Sequence, residues 1–316
     1  MKKILFAICL AVAVSCVGKI DLPDHKYPPH LQGTEQEDDK DEGNKDENQG
    51  NENEGNQGET PGITPASGPE ITVRFVSYNI GRFNKHQASL GRYSYPEVAA
   101  VLKEIDADVV GLNEVGKGQS GELAKELGKW SDYFAYAANT TYGNSIVASP
   151  DYKVVKEYPR VAIPKSFPSA PTESASEVRS LGVVEYEDFV FCVTHLAHDS
   201  NNARKEGAKI ITNWAMENYG PGKTNKPVIL LGDMNCLPSD VTIGIFLEDW
   251  ALASAKELTF PCPNPTKCID FVFVLKNGVD VKFGESHAVH MTTTTDITKA
   301  SDHYPIYADI TFKSQK

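Results

Sequence analysis

From about residue 70 onward, apolar and polar positions repeat with two different periods. Ile71-Thr-Val-Arg-Phe-Val-Ser-Tyr-Asn79 alternates with the period of a strand and ends on Asn79. Ser94-Tyr-Pro-Glu97 has the form of a capping box with proline near the helix start, and Val98, Leu102 and Ile105 then mark the apolar stripe of a helix. Asp108-Val-Val-Gly-Leu-Asn-Glu114 predicts the next strand, so the order is strand, helix, strand, as in an α/β sheet. Gly143-Asn-Ser-Ile-Val-Ala-Ser149 predicts a short strand. Arg179 to Tyr186 and Asp188 to His195 predict a hairpin, and Asn201 to about Tyr219 a helix with Ile211 and Trp214 on its buried face. Four apolar residues in Val228-Ile-Leu-Leu-Gly-Asp-Met-Asn235 predict a strand buried on both faces. Gly232 is expected to turn the chain there, so that Asp233 and Asn235 emerge at the strand's C-terminal end. Ile269 to Val274 and Tyr304 to Ile310 complete the strands. No internal repeat is visible, and the alternation in two halves is consistent with two sheets packed face to face.

The strand ends carry the candidate chemistry. They deliver Asn79, Glu114, His195, Asp233, Asn235, Asp270, Asp302 and His303. Each alone has an ordinary structural explanation, such as a turn former, a loop acid or a core histidine. Eight of them, each at the end of an apolar strand, point instead to one polar site. Carboxylates and amides are hard oxygen donors that suit Mg²⁺, Mn²⁺ or Ca²⁺, and a carboxylate beside such an ion can orient or deprotonate water.

The ordered segments Tyr78-Asn-Ile, Leu112-Asn-Glu, Gly143-Asn-Ser-Ile, Thr194-His-Leu, Gly232-Asp-Met-Asn, Ile269-Asp-Phe-Val and Ser301-Asp-His-Tyr-Pro resemble the motif set of the endonuclease/exonuclease/phosphatase superfamily. The resemblance spans roughly Val73 to Ile310. It implies a four-layer α/β/β/α sandwich, two mixed β-sheets flanked by helices, and a divalent metal, usually Mg²⁺. Carried over by position, Glu114 would be the principal metal ligand with Asn79 and Asp302. Asp233 and Asn235 would hold the attacking water, Asp270 would orient His303, and His195 would contact the phosphate or the leaving oxygen. Either Asp233 or His303 could take the proton from water. Asn144, Arg179 and His198 are candidate substrate contacts. A subgroup of the family commonly has Arg before the Ile-Asp pair, where this chain has Cys268; that departure puts a carried-over substrate preference in doubt.

The N-terminal region changes the picture of where the domain works. Met1-Lys-Lys, an apolar run from Ile4 to Val14 and then Ser15-Cys16 read as an export signal. Ala13-Val-Ser-Cys16 resembles a bacterial lipobox, making Cys16 the candidate lipid anchor. Residues 1–16 are thus expected to be a lipoprotein-type signal, 17–69 an acidic linker and 70–316 the catalytic domain. Thr34 to Thr60 holds eleven acids and two lysines, a net −9 of the chain's −12, which leaves −3 for the rest. That near-neutral remainder excludes a strongly basic nucleic-acid clamp. Of the six cysteines, Cys192 and Cys236 are expected to be buried thiols, and Cys262 and Cys268 are spaced for a local disulfide.

The expected activity is metal-assisted hydrolysis of a phosphoester, a phosphodiester before a monoester, by an exported lipoprotein at the outer membrane or cell surface, with the periplasmic side as the alternative. Its partners would be the substrate (a phospholipid head group, a small phosphodiester or a nucleic acid) and the membrane through the N-terminal lipid, with no obligate protein partner evident. A second class is a phosphate-ligand-binding protein that keeps the scaffold without turnover, against which the full set Glu114, Asp233, Asn235 and His303 speaks. A Zn²⁺ site from Cys192, His195, His198 and Cys236 lacks the usual paired-cysteine spacing.

Overall fold

The computed structural model describes residues 64–137 and 141–316. The expected signal, Cys16 anchor and most of the linker lie outside the described residues. Among the described residues, no helix is long and apolar enough to cross a membrane.

Among the described residues, thirteen strands form two mixed sheets. The first contains β1 (Glu70–Asn79), β2 (Val109–Gly116), β3 (Ser131–Tyr136), β4 (Tyr142–Ala148), β12 (Lys282–Ala288) and β13 (Ile306–Lys313), in the order β12-β13-β1-β2-β4-β3. The second contains β5 (Val154–Glu157), β6 (Val161–Ile163), β7 (Arg179–Tyr186), β8 (Val190–His195), β9 (Val228–Asp233), β10 (Trp250–Leu252) and β11 (Asp270–Leu275). Its order is β10-β11-β9-β8-β7-β5, with β6 also on β7. Only the central pairs β1–β2 and β8–β9 are parallel; the other pairings are antiparallel.

Three cores follow from the strands' two faces. Val73, Phe75, Phe191, Val193, Leu231, Val272 and Ile310 fill the space between the sheets. The outer face of the first sheet packs on α2 (Tyr95–Glu104) and α3 (Gln119–Leu127), which follow the short α1 (Gln87–Leu90). The outer face of the second packs on α4 (Asn201–Tyr219) and α5 (Val241–Asp249). Helix, sheet, sheet and helix make the α/β sandwich that the family resemblance implies.

Two local expectations are corrected. Ser94 does not cap α2 with its side chain; its hydroxyl instead donates to the carbonyls of Ala300, at 2.8 Å, and Phe83, at 3.2 Å, tying the helix start to the segment before β13. Gly232 does not make the turn. It lies inside β9, where a Cβ would fall 1.8 Å from the Thr194 carbonyl oxygen, and the chain turns only at Asn235, with φ +50°. Gly232 therefore permits the close approach of β8 and β9, with its own φ of +146°. Gly232→Ala is expected to cost about 3 kcal/mol by forcing those strands apart. Urea unfolding measures it, and wild-type stability in the variant would show that the approach is not tight.

Candidate active site

Both parallel pairs end at the same edge of the sandwich, and their register lines up the polar side chains. His195 is paired with Asp233 across β8–β9, Asp233 with Asp270 across β9–β11, and Asn79 with Asn113 across β1–β2. A cavity of about 700 Å³ opens there, lined among others by Glu114, Arg179, His195, His198, Asp233, Asn235, Asp302 and His303. Asn79 and Asp270 stand behind it, 1% and 0% exposed.

Asn79 joins the two sheets' contributions. Its Nδ2 donates to Glu114 Oε1 at 3.2 Å and to Asp233 Oδ2 at 3.1 Å, while its Oδ1 accepts from the Gly81 N–H at 3.1 Å. Glu114 reaches the cavity because β2 is irregular opposite β4 between Leu112 and Val115, and Glu114 itself has φ +55°. A bulge re-aims a side chain that a regular strand would send elsewhere.

Asn113, one residue earlier, was not among the predicted site residues. It is fully buried: its Nδ2 donates to Asn144 Oδ1 and to the Thr194 carbonyl, and its Oδ1 accepts from the Asp233 N–H, at 2.9, 2.8 and 2.8 Å. The signal was available, since a polar residue inside an otherwise apolar strand must find partners. Asn144 is correspondingly corrected as a substrate contact. It is 3% exposed, with Oδ1 on Asn113 and Nδ2 donating to the Ser180 carbonyl at 3.1 Å, so it braces Asn113 rather than facing the cavity.

On the far side, Asp270 Oδ2 accepts from Thr259 Oγ1 at 2.6 Å and faces His303 Nδ1 at 3.0 Å. His303 Nε2 then lies 3.8 Å from Asp233 Oδ2, and the Phe260 ring packs 4.6 Å from the imidazole. Burial alone would lower the pKa of His303, but Asp270 and then Asp233 outweigh it and raise it, so the ring is cationic at neutral pH. Burial, and next the Asp270 charge, push Asp233 well above the ordinary carboxylate range.

His195 behaves oppositely. Burial and the Arg179 charge hold its pKa well below the usual value, so its 3.5 Å approach to Asp233 is no ion pair. Its Nε2 meets Asn235 Nδ2 at 2.9 Å and its Nδ1 meets Arg179 Nη1 at 3.3 Å. Arg179 is 5% exposed, lies 3.4 Å from His198 Nδ1 and 3.2 Å from Glu177 Oε2, and keeps Nε without a partner. The three residues thus form one wall of the cavity.

The four described cysteines are all free thiols, so the expected Cys262–Cys268 disulfide is not formed. Cys262 packs with the α2 side of the molecule and Cys268 with the α4 and α5 side. Cys268 therefore does not face the site, and the neighbouring Lys267 lines the cavity in its place. Cys192 and Cys236 lie in the same apolar layer as Cys268, where burial raises their pKa values, and they make no Zn²⁺ site with the histidines.

The family model of the Endonuclease/Exonuclease/phosphatase family matches residues 76–303. The chain belongs to this family. Membership makes it a phosphoric ester hydrolase. A search of curated proteins gives no match. Solved structures similar to it include a family member from Bacteroides thetaiotaomicron, with 20% identity, 78% of this chain and 97% of that one covered, and TM-score 0.63. A mannosyl-6-phosphatase from the same organism has 20% identity, coverage of 75% and 99%, and TM-score 0.63. D. rerio TDP2 in complex with a single-strand DNA product has 16% identity, coverage of 76% and 98%, and TM-score 0.57. At these identities the likeness is one of fold.

Members of the family generally depend on a divalent metal, and two groups of side chains could hold one. Asp233, Asp270 and His303 bring ligand atoms within 4.8 Å of one another, and Asp270 Oδ1 is buried without a partner. In that cluster His303 Nδ1 and Asp270 Oδ2 already face each other at 3.0 Å, so both are occupied. Glu114, Asn79 and Asp302 fit better. All three offer oxygen, Asn79 Oδ1 retains a second lone pair, and a cation already rests on Asp302: Lys85 Nζ is 3.0 Å from its Oδ2. Burial opposes the Lys85 charge, but Asp302 and then Glu114 hold its pKa above the usual lysine value.

Proposed function

We propose that the chain is a Mg²⁺-dependent phosphodiesterase acting outside the cytoplasm, by in-line attack of water on phosphorus. The single observation that carries the reading is Asn79, whose one amide ties Glu114 to Asp233 at 3.2 and 3.1 Å. A carboxylate suited to an ion and a carboxylate suited to activate water are thereby held at a fixed separation.

In this reading Glu114, Asn79 and Asp302 hold the ion, which when bound offsets the charge on the phosphoryl oxygens. Mn²⁺ or Ca²⁺ would satisfy the same donors. Asp233 takes the proton from water. His303 is the less suited base, because Asp270 raises its pKa and holds its Nδ1. His303 instead presents positive charge to the phosphoryl group and returns a proton to the leaving oxygen. Asn235 orients the water through an amide anchored on the Leu196 carbonyl at 3.1 Å, and its backbone N–H fixes Asp233 Oδ1 at 2.8 Å. The buried Arg179 donates to a non-bridging oxygen, with neutral His195 contacting the substrate between Arg179 and Asn235 and His198 at the rim.

Four basic side chains, Arg82, Lys85, Arg179 and Lys267, line the cavity and favour an anionic substrate. The signal-like start and acidic tether favour an exported, lipid-anchored enzyme; replacing Cys16 by Ser should release the protein from membranes, and a variant that stays membrane-bound would remove the anchor. The substrate class is addressed by a panel of bis-aryl phosphodiester, plasmid DNA, RNA, phosphoinositides, sphingomyelin and simple monoesters, each with Mg²⁺ and with chelator. The diester is expected to turn over with Mg²⁺ and to stop with chelator. Equal turnover in chelator, or turnover of monoesters alone, would overturn the metal or the diester part respectively.

A further inference from the structure

Lys85 was not among the residues the sequence singled out, yet the backbone before it is unusual. Gly81, Arg82 and Phe83 all have positive φ, at +47°, +57° and +57°. Left-handed backbone at two consecutive non-glycine residues costs free energy and persists where something else is gained. The tight curl is pinned at both ends: the Gly81 N–H donates to Asn79 Oδ1 at 3.1 Å, and Gln119 Nε2 donates to the Arg82 carbonyl at 2.9 Å. It brings Lys85 back across its own start. A Cβ on Gly81 would lie 2.5 and 2.6 Å from Lys85 Cγ and Cε, and 3.1 Å from Asp302 Oδ1. The lysine stem therefore lies over bare glycine, and its ammonium reaches Asp302 from inside the cavity that Glu114 also lines. An ordinary surface ion pair needs no such track, and contributes little.

We infer that Lys85 is a tethered competitor of the divalent ion, neutralising Asp302 so that the ion is held weakly and exchanges readily. The inference rests on the reading that Glu114, Asn79 and Asp302 hold the metal. Glu114 and Asp302 present two negative charges to the cavity and Lys85 returns one. A single divalent ion then leaves Glu114, Asp302, Lys85 and the ion at net +1. Without Lys85 the same ion would bind a doubly negative pair.

The test is Mn²⁺ binding to the full chain, followed by titration calorimetry and by loss of the free-ion electron paramagnetic resonance signal. Lys85→Met is expected to tighten Mn²⁺ binding about tenfold, the effect of one partly solvated charge at contact distance. Lys85→Gln, the second neutral variant, should move the same way, and Lys85→Arg should stay within about twofold of wild type because it keeps the charge. Glu114→Gln should abolish the tight site in both wild-type and Lys85→Met backgrounds. Unchanged or weaker binding in both neutral variants, with Glu114→Gln still abolishing it, would overturn the role of Lys85 and leave the metal site standing. Absence of any Mn²⁺ binding in folded wild-type protein would overturn both.

Discussion

Asp233→Asn is expected to lower turnover of a bis-aryl phosphodiester by about three orders of magnitude, the scale of a lost general base. The fold should survive. Asn is isosteric, and the acceptors that matter most, Oδ1 toward the Asn235 N–H and Oδ2 toward Asn79 Nδ2, are half retained by an amide. Thermal unfolding gives a second readout of opposite sign. The folded pKa of Asp233 lies above its unfolded value, so the folded state binds the proton more tightly. Its contribution to stability is complete below the unfolded pKa, near 3.9, and is lost as pH rises through the folded value. At neutral and alkaline pH the wild type carries a buried carboxylate beside the Asp270 charge that the amide variant lacks. The variant is therefore expected to be inactive and at least as heat-stable there, its advantage shrinking as pH falls toward 4. Activity should show the same group from the other side, rising with pH through an acidic limb well above the ordinary aspartate range. Near-normal turnover by Asp233→Asn would remove it as the base.

How far the sequence carried depended on how deeply each piece is buried. The central strands are apolar on both faces, and the readings of β1, β2, β7, β8, β9 and β11 fall within a few residues of the observed bounds. Edge elements escaped. All four residues of β5 are exposed and β12 is mostly so, which leaves no alternation to read. Helix α5 escaped for a different reason. Val241, Thr242, Ile243, Gly244 and Ile245 are all poor helix formers, and packing of Ile243 and Phe246, with Asp240 accepting from the Thr242 N–H at 2.8 Å, overrides that preference. Within the site, residue types were legible and backbone devices were not. Glu114 was found by its position after an apolar run, but nothing in the run announces the bulge that turns it inward. Gly232 was read as a turn because glycine usually is one; its real reason, a neighbouring carbonyl at a distance no side chain allows, exists only once β8 and β9 are paired. Asn113 and Lys85 were missed because each acts on a residue far away in sequence, and Thr259 because the loop that folds it back onto Asp270 is not legible as a turn.

Asp270→Asn should cost about two to three orders of magnitude in turnover although Asp270 is fully buried behind the cavity and touches no substrate. It is a positioning residue, and its effect passes through His303. Burial by itself lowers the pKa of that ring, and Asp270 is the leading influence that reverses the sign. With an amide in its place burial is opposed only by Asp233 and Asp302, and the imidazole should titrate well below its wild-type value. Histidine ¹⁵N resonances followed against pH measure this directly. In wild type the His303 signal should stay cationic well past neutrality, and in the variant it should become neutral at distinctly lower pH. Stability carries the matching signature. Because the folded pKa of His303 is raised, the stabilisation from its pairing with Asp270 is complete below the unfolded histidine pKa and is lost as pH climbs through the folded one. The stability gap between wild type and Asp270→Asn should consequently narrow toward alkaline pH. Thr259→Ala removes the 2.6 Å hydrogen bond to the same carboxylate oxygen and leaves its charge, so it should disturb geometry more than titration. A His303 pKa that stays put in Asp270→Asn while activity collapses would mean that Asp270 sets the ring's orientation and something else keeps it charged.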